Sequence, residues 1–174
     1  METNKYIPSP EEIRKTEESL SENQSIMTNV RYEVLNNPDF IGKKIVFIMR
    51  GVPGSGKSTI AKEIAHPDGV IHSTDSYFEE NGEYTFDPSK LGENHEKNFQ
   101  SFQKSLSGEK PIVVVDNTNI KRSHFEKYID AAKEKGYLVH EVAVPTPNPK
   151  EAAERNLHGV SQDVIKRMID EYEK

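Results

Sequence analysis

Gly51-Val52-Pro53-Gly54-Ser55-Gly56-Lys57-Ser58 has the residue types and spacing to hold a polyphosphate. It fits in full the pattern of a glycine-rich loop that ends in Lys-Ser. The glycines let the backbone curl so that successive N–H groups point inward at phosphate oxygens. A helix opening near Lys57 adds the positive end of its dipole. In such a loop the lysine, here Lys57, reaches the β- and γ-phosphates, and the next hydroxyl, Ser58, ligates Mg²⁺. With Thr59 the cradle runs from Gly51 to Thr59, and ATP or GTP is its expected occupant.

Two carboxylates and one cation extend this chemistry. Asp75 stands in His72-Ser73-Thr74-Asp75-Ser76-Tyr77, just after a short apolar stretch. Ligands of open parallel sheets sit beyond the carboxyl ends of the strands. A carboxylate there can take the proton from an acceptor hydroxyl; the other reading is an Asp that caps the following turn. Asp116-Asn117-Thr118-Asn119 closes another apolar stretch. Asp116 suits the water shell of a Mg²⁺ opposite Ser58, or it belongs to a polar turn whose Asn117 and Asn119 bond only backbone. Arg155, in Glu154-Arg155-Asn156-Leu157-His158-Gly159-Val160, lies between two helical stretches. It can close over the nucleotide and neutralise transition-state charge, or serve as a solvated helix-end cation.

The elements that must position these groups can be read from periodicity. Lys44 to Arg50 is a near-continuous apolar run, the pattern of a strand buried on both faces of a parallel sheet. Residues 57–65 place Ile60, Ala61, Ile64 and Ala65 on one helical face. Residues 70–73 form a short second strand, and residues 93–106 a helix carrying Phe99, Phe102 and Leu106. Pro111 to Asp116 is a third strand. Ser123-His124-Phe125-Glu126 reads as a capping box opening a helix that runs to about Lys135, where Gly136 stops it. Residues 137–144 form a fourth strand, Asn148-Pro149-Lys150-Glu151 caps another helix, and Ser161 opens the last. This rhythm of strand and helix predicts an α/β fold, a parallel sheet with helices on both faces. The Pro-rich stretch 145–149 reads as a turn.

Composition narrows the class. The chain has 174 residues, one ordinary domain with room for an appendage. It has no cysteine, which excludes disulfides and thiolate-held metals. Its apolar runs fall far short of the ~20 residues a membrane-spanning helix needs, and no secretory leader pattern opens it, so a cytoplasmic protein is expected. The net charge of −6 is uneven. Residues 1–42 hold Lys5, Arg14, Lys15 and Arg31 against eight acids, a net of −4, which leaves −2 for residues 43–174. We therefore divide the chain into a partly helical extension, 1–42, and a catalytic-type domain, 43–174. Ser9-Pro10-Glu11-Glu12 is a helix-start signal in the extension, and Ile13 and Leu20 give it one weak apolar stripe. The extension is either a leader packed on the domain surface or an arm for a protein partner. The near-neutral domain leaves room for a local contact with a nucleic-acid end, but not for long tracking along a backbone.

Taken together, Met49–Thr59, Ser73–Phe78, Val115–Asn119 and Arg155–Val160 resemble the polynucleotide-kinase-type P-loop family. Its members include the 5′-kinase domain of phage polynucleotide kinase. Related AAA-like P-loop domains occur in the myelin cyclic-nucleotide phosphodiesterase and in ubiquitin-ligase-binding proteins. The resemblance covers residues 43–174. It implies a P-loop kinase fold with a four-stranded parallel sheet in the order 2-3-1-4. It also implies a general-base role for Asp75, a place near metal and phosphates for Asp116, and a lid role for Arg155. Two departures stand out: Phe78 occupies the place of an Arg that holds a substrate phosphate, and only His158 is available where the family has a second lid Arg. Phe78, Tyr84 and Phe86 read as the core of a small hairpin around Asn81-Gly82, or as surfaces on which a base can stack.

The expected function is therefore an ATP- and Mg²⁺-dependent phosphotransferase acting on a hydroxyl, with a nucleic-acid 5′-end or a nucleoside as leading acceptor. The alternatives are a P-loop ATPase or regulatory module with a protein partner, and a small-molecule kinase. A cyclic phosphodiesterase needs two His-x-Thr/Ser elements, and only His72-Ser73-Thr74 fits.

Overall fold

The computed structural model describes Val34 and residues 36–174. The signals expected at residues 9–12, Ile13 and Leu20 lie outside the described residues. The elements run β1 (Ile45–Arg50), α1 (Lys57–Ala65), β2 (Val70–His72), β3 (Glu79–Glu80), β4 (Glu83–Tyr84), α2 (Leu91–Ser107), β5 (Ile112–Asp116), α3 (Arg122–Glu134), β6 (Leu138–Ala143), α4 (Pro149–Arg155) and α5 (Gln162–Asp170). Each strand and helix read from periodicity is present, with ends moved by a residue or two.

The main sheet has the order β2-β5-β1-β6, and all its pairings are parallel. Among the sheet's own strands this is 2-3-1-4, the expected order. The other two strands, β3 and β4, pair only with each other, as an antiparallel hairpin. Asn81 and Gly82 connect them with φ of 54° and 80°, the left-handed pair that a two-residue hairpin turn requires.

Successive strand residues point to opposite faces, and β1 uses both. Ile45, Phe47 and Met49 meet Ile60 and Ile64 of α1. Val46 and Ile48 meet Phe102 and Leu106 of α2 and Phe125 and Ile129 of α3. All six residues of β1 are therefore buried. Phe40 sets its ring edge-on to Phe47 and His140, with centroids 5.6 and 4.9 Å away. A third, smaller cluster joins Val52 of the glycine-rich loop to Ala152 of α4 and Ile165 of α5. No helix among the described residues is long and apolar enough to cross a membrane.

Asn148 and Ser161 cap α4 and α5 as expected, accepting from the N–H groups of Lys150 and Val164. The capping box at Ser123 is not formed. Helix α3 opens one residue earlier, at Arg122, and its N-cap Lys121 makes no side-chain cap bond. The Arg122 N–H donates instead to Glu173 Oε2 at 2.7 Å. A carboxylate from the far end of the chain supplies the acceptor that a local serine was expected to provide.

Candidate active site

Parallel pairing puts the carboxyl ends of all four sheet strands on one edge, where the glycine-rich loop follows β1, Asp75 follows β2 and Asp116 ends β5. The loop between β1 and α1 is pinned at its start, where the Gly51 N–H donates to the Thr118 carbonyl at 2.9 Å. Gly54 and Gly56 have φ of 80° and 88°, a region that L side chains rarely adopt. At Gly54 there is a second constraint. A Cβ would stand 2.9 Å from the Cα of Ala152 and 2.8 Å from its carbonyl carbon, so the backbone of α4 rests directly on the loop. No side chain caps the start of α1 after Gly56, which leaves the positive end of the helix to the loop mouth. Ser55 is buried with its hydroxyl unpartnered, a free donor inside the cradle that suits a phosphate oxygen.

Lys57 and Asp116 meet across this mouth. Nζ lies 2.8 Å from Oδ1, and the two side chains are 11% and 6% exposed. Ser58 and Thr59 are exposed on the first turn of α1. Asp116 and Ser58 offer hard oxygen donors of the kind Mg²⁺ takes. Among the described residues there is no group of three or more His, Cys, Asp and Glu that could hold a metal ion.

Asp116 begins a segment in which each residue ties down a different element. The Asn117 side-chain oxygen accepts from the Thr74 N–H at 2.9 Å. The Thr118 carbonyl holds Gly51. Asn119, buried and left-handed with φ of 48°, donates to the Met49 carbonyl at 2.7 Å. The two asparagines thus bond backbone, fixing the glycine-rich loop and the turn that carries Asp75.

Asp75 sits in a 3-10 turn, Thr74–Phe78, directly after β2. Its side chain is 49% exposed, and Oδ2 lies 3.3 Å from His158 Nδ1. Its Oδ1 accepts from the Tyr84 hydroxyl at 3.4 Å. The rings of Tyr84 and His158 stack at 4.1 Å with 12° between their planes. Burial first, then the adjacent Asp75 carboxylate, pushes the Tyr84 hydroxyl from 10.0 up to about 12, so it remains a donor across the neutral range. Phe78 is buried against Tyr84 and Phe86, at 6.2 and 5.1 Å. The three aromatics form the hairpin core, and Tyr84 also turns its hydroxyl to the site.

Arg155 ends α4 and bonds Glu151, one turn back, at 3.3 Å. The connection to α5 is organised by Asn156. Its Nδ2 donates to the carbonyls of Ala153 and Val160, at 2.8 and 3.0 Å. Its Oδ1 accepts from the N–H groups of His158 and Val160, at 3.2 and 2.9 Å. The connection reaches Asp75 through His158.

Sequence reasoning passed over Arg50, the residue before the loop. It is 6% exposed. Its guanidinium donates to the carbonyls of Asn119, Ile120 and Glu173 and to Glu141. It also lies over the rings of Phe125 and Tyr172, at 4.8 and 4.7 Å. A charge closing an otherwise apolar strand was the available signal, since a buried Arg must find such partners.

Comparison with known proteins bears on the fold. Human NEDD4-binding protein 2 is 34% identical over 174 residues, covering 95% of this chain and 10% of its own length. Human YLP motif-containing protein 1 is 31% identical over 157 residues, 75% of this chain and 7% of its own length. The chain thus spans a tenth or less of these relatives. Among solved structures, one in the Pnkp1/Rnl/Hen1 RNA repair complex has a TM-score of 0.58 at 17% identity, covering 79% of this chain and 46% of its own. A gluconokinase from Sinorhizobium meliloti has a TM-score of 0.52 at 18% identity, covering 75% of this chain and 76% of its own. These two likenesses show the fold. Residues 46–174 match the AAA domain family, and the chain belongs to that family, built on the P-loop kinase-type fold.

Proposed function

We propose that the chain is an ATP- or GTP-dependent phosphotransferase that moves the γ-phosphate to a hydroxyl, with a nucleic-acid 5′-end or a nucleoside as leading acceptor. One observation carries the reading. A half-exposed carboxylate, Asp75, has a polar contact on each oxygen, the Tyr84 hydroxyl on Oδ1 and His158 Nδ1 on Oδ2, at the same sheet edge as the Lys57–Asp116 pair. A carboxylate so placed can accept the proton of the attacking nucleophile, an acceptor hydroxyl in this reading. In this reading Gly51–Thr59 cradles the phosphates, Lys57 pairs with the β- and γ-phosphates, and Ser58 and Asp116 hold Mg²⁺. The metal, when bound, neutralises charge on the phosphate oxygens. Asp75 takes the hydroxyl proton, and Arg155 turns from Glu151 toward developing charge. The transfer forms a bond from the acceptor oxygen to the γ-phosphorus and breaks the bond to the β-phosphate oxygen. The proton passes to Asp75 and then to water.

Pnkp1 of an RNA repair complex and a gluconokinase share the fold, which keeps both nucleic-acid ends and small hydroxyl compounds as acceptor classes to test. The domain is read as residues 43–174, with 1–42 as an extension that can carry a protein partner. The name of NEDD4-binding protein 2 favours keeping a regulatory module as the second reading. The test is transfer of labelled γ-phosphate to 5′-hydroxyl oligonucleotides, nucleosides and small polyols. Asp75→Asn is expected to lower transfer by about 10²–10⁴-fold and to leave ATP affinity within a factor of about two. Hydrolysis of ATP with no labelled acceptor overturns the phosphotransferase reading.

A further inference from the structure

We propose that His158 is a positioning residue for Asp75: it fixes the direction of the carboxylate that receives the acceptor's proton. The inference rests on the phosphotransferase reading above. Three elements meet at this carboxylate: the turn after β2, the hairpin strand β4, and the α4–α5 connection. A carboxylate on a short turn rotates broadly about its last torsion. Here the Tyr84 hydroxyl donates to Oδ1 at 3.4 Å and His158 Nδ1 stands at ion-pair distance, 3.3 Å, from Oδ2; a contact on each oxygen restricts the carboxylate to one plane.

His158 is itself held. The Tyr84 ring, 4.1 Å away and nearly parallel, sets the plane of the imidazole. Asn156 Oδ1 accepts from the His158 N–H at 3.2 Å and sets its backbone. Each carboxylate oxygen has a second lone pair, and Asp75 is 49% exposed, so an acceptor hydroxyl can still reach the base. His158 takes no proton in this assignment and touches no phosphate. It acts through Asp75, from the same connection that begins at Arg155. The base is thereby oriented from the nucleotide side of the site.

Two substitutions separate the roles of the ring. His158→Phe keeps the stack on Tyr84 and removes the donor. His158→Asn keeps a donor near the Nδ1 position and removes the ring. A misdirected catalytic group costs on the order of 10²-fold, so His158→Phe is expected to lower kcat by about 10–100-fold, with KM for ATP and for acceptor within about twofold. His158→Asn is expected to recover kcat to within about fivefold of the wild type. Long-range ¹H–¹⁵N spectra of the imidazole supply a readout independent of turnover: Nδ1 is expected to carry the proton in the wild type and its resonance to shift in Asp75→Asn, and a bare Nδ1 overturns the positioning role. This second readout holds even where a His158 variant folds poorly.

An active wild type with kcat unchanged in His158→Phe overturns the positioning role alone. So does a raised acceptor KM in His158→Asn with kcat intact, which makes the stacked rings a binding surface instead. A wild type that phosphorylates no acceptor overturns the phosphotransferase reading and this role together.

Discussion

Replacing Lys57 with Met in the nucleotide-free protein removes the cation from a pair that is almost wholly out of water. The Nζ–Oδ1 distance is 2.8 Å, and the side chains of Lys57 and Asp116 are 11% and 6% exposed. Met has a similar length and volume, so packing changes little and the charge effect dominates. Breaking a buried ion pair from one side costs about 3–5 kcal/mol, because the remaining charge is left uncompensated. The pair lies at the loop mouth rather than in the deep core, which favours the lower end, about 3 kcal/mol. For a chain of this size each kcal/mol moves Tm by about 2–4 °C, so Lys57→Met is expected to melt about 6–12 °C lower. Asp116→Asn is expected to cost less, about 1 kcal/mol, since the long lysine stem can carry its ammonium to water. The double variant buries no charge and is expected to lie within about 1 kcal/mol of Asp116→Asn. Urea unfolding and calorimetry without nucleotide or Mg²⁺ measure all three. A Lys57→Met protein as stable as the wild type, or a double variant showing the full sum of both losses, would refute the argument.

Gly54→Ala places a methyl group against the backbone of α4 at a left-handed position, which by itself costs about 1–2 kcal/mol. Titration calorimetry is expected to show at least about a tenfold loss in ATP affinity, and hydrogen exchange should show faster opening of residues 149–155. His72 supplies a pH dependence. It is buried, its Nε2 lies 2.9 Å from Ser105 Oγ, and burial lowers its pKa from 6.5 to about 4. The unfolded chain binds this proton first, so stability is fully present above pH 6.5 and is lost as the pH falls toward 4. The loss is about 3 kcal/mol. Burial lowers His95, His124 and His140 as well, which steepens the same acid limb. Urea unfolding between pH 7 and pH 4 is expected to show a shallower slope for His72→Gln.

The parts of this molecule that were legible in the sequence are those fixed over short spans. An apolar run, glycines at set offsets and an amphipathic stretch give β1, the phosphate cradle and α1 without tertiary information. Asn148, Ser161 and Asn81-Gly82 likewise act on their own neighbours. The sheet order came with the family resemblance, because periodicity does not say which strands pair. The clamp on Asp75 was not legible. Tyr84 reads as a hairpin residue and His158 as a missing arginine, until three separate elements bring them together. Arg50 was passed over and Ser123 misread for one shared reason. Glu173, near the end of the chain, gives Arg50 a carbonyl and gives α3 its cap, and no local window contains that partner.

The order β2-β5-β1-β6 also sets a timetable for synthesis. Among the described strands β1 leaves the ribosome first, yet it pairs with neither its successor nor the hairpin. Its partners are strands that begin at Ile112 and Leu138. Until β5 is made, Ile45-Val46-Phe47-Ile48-Met49 is an apolar ribbon with two unsatisfied edges, and until β6 is made one edge stays open, the form of chain prone to stick to other chains. The glycine-rich loop shares that delay, since it is anchored to Thr118 and roofed by α4. The nucleotide cradle, encoded in nine consecutive residues, is among the last parts of the molecule to take shape. A nascent chain stalled before β6 would hold the whole motif without the α4 backbone that roofs it or the His158 that meets Asp75.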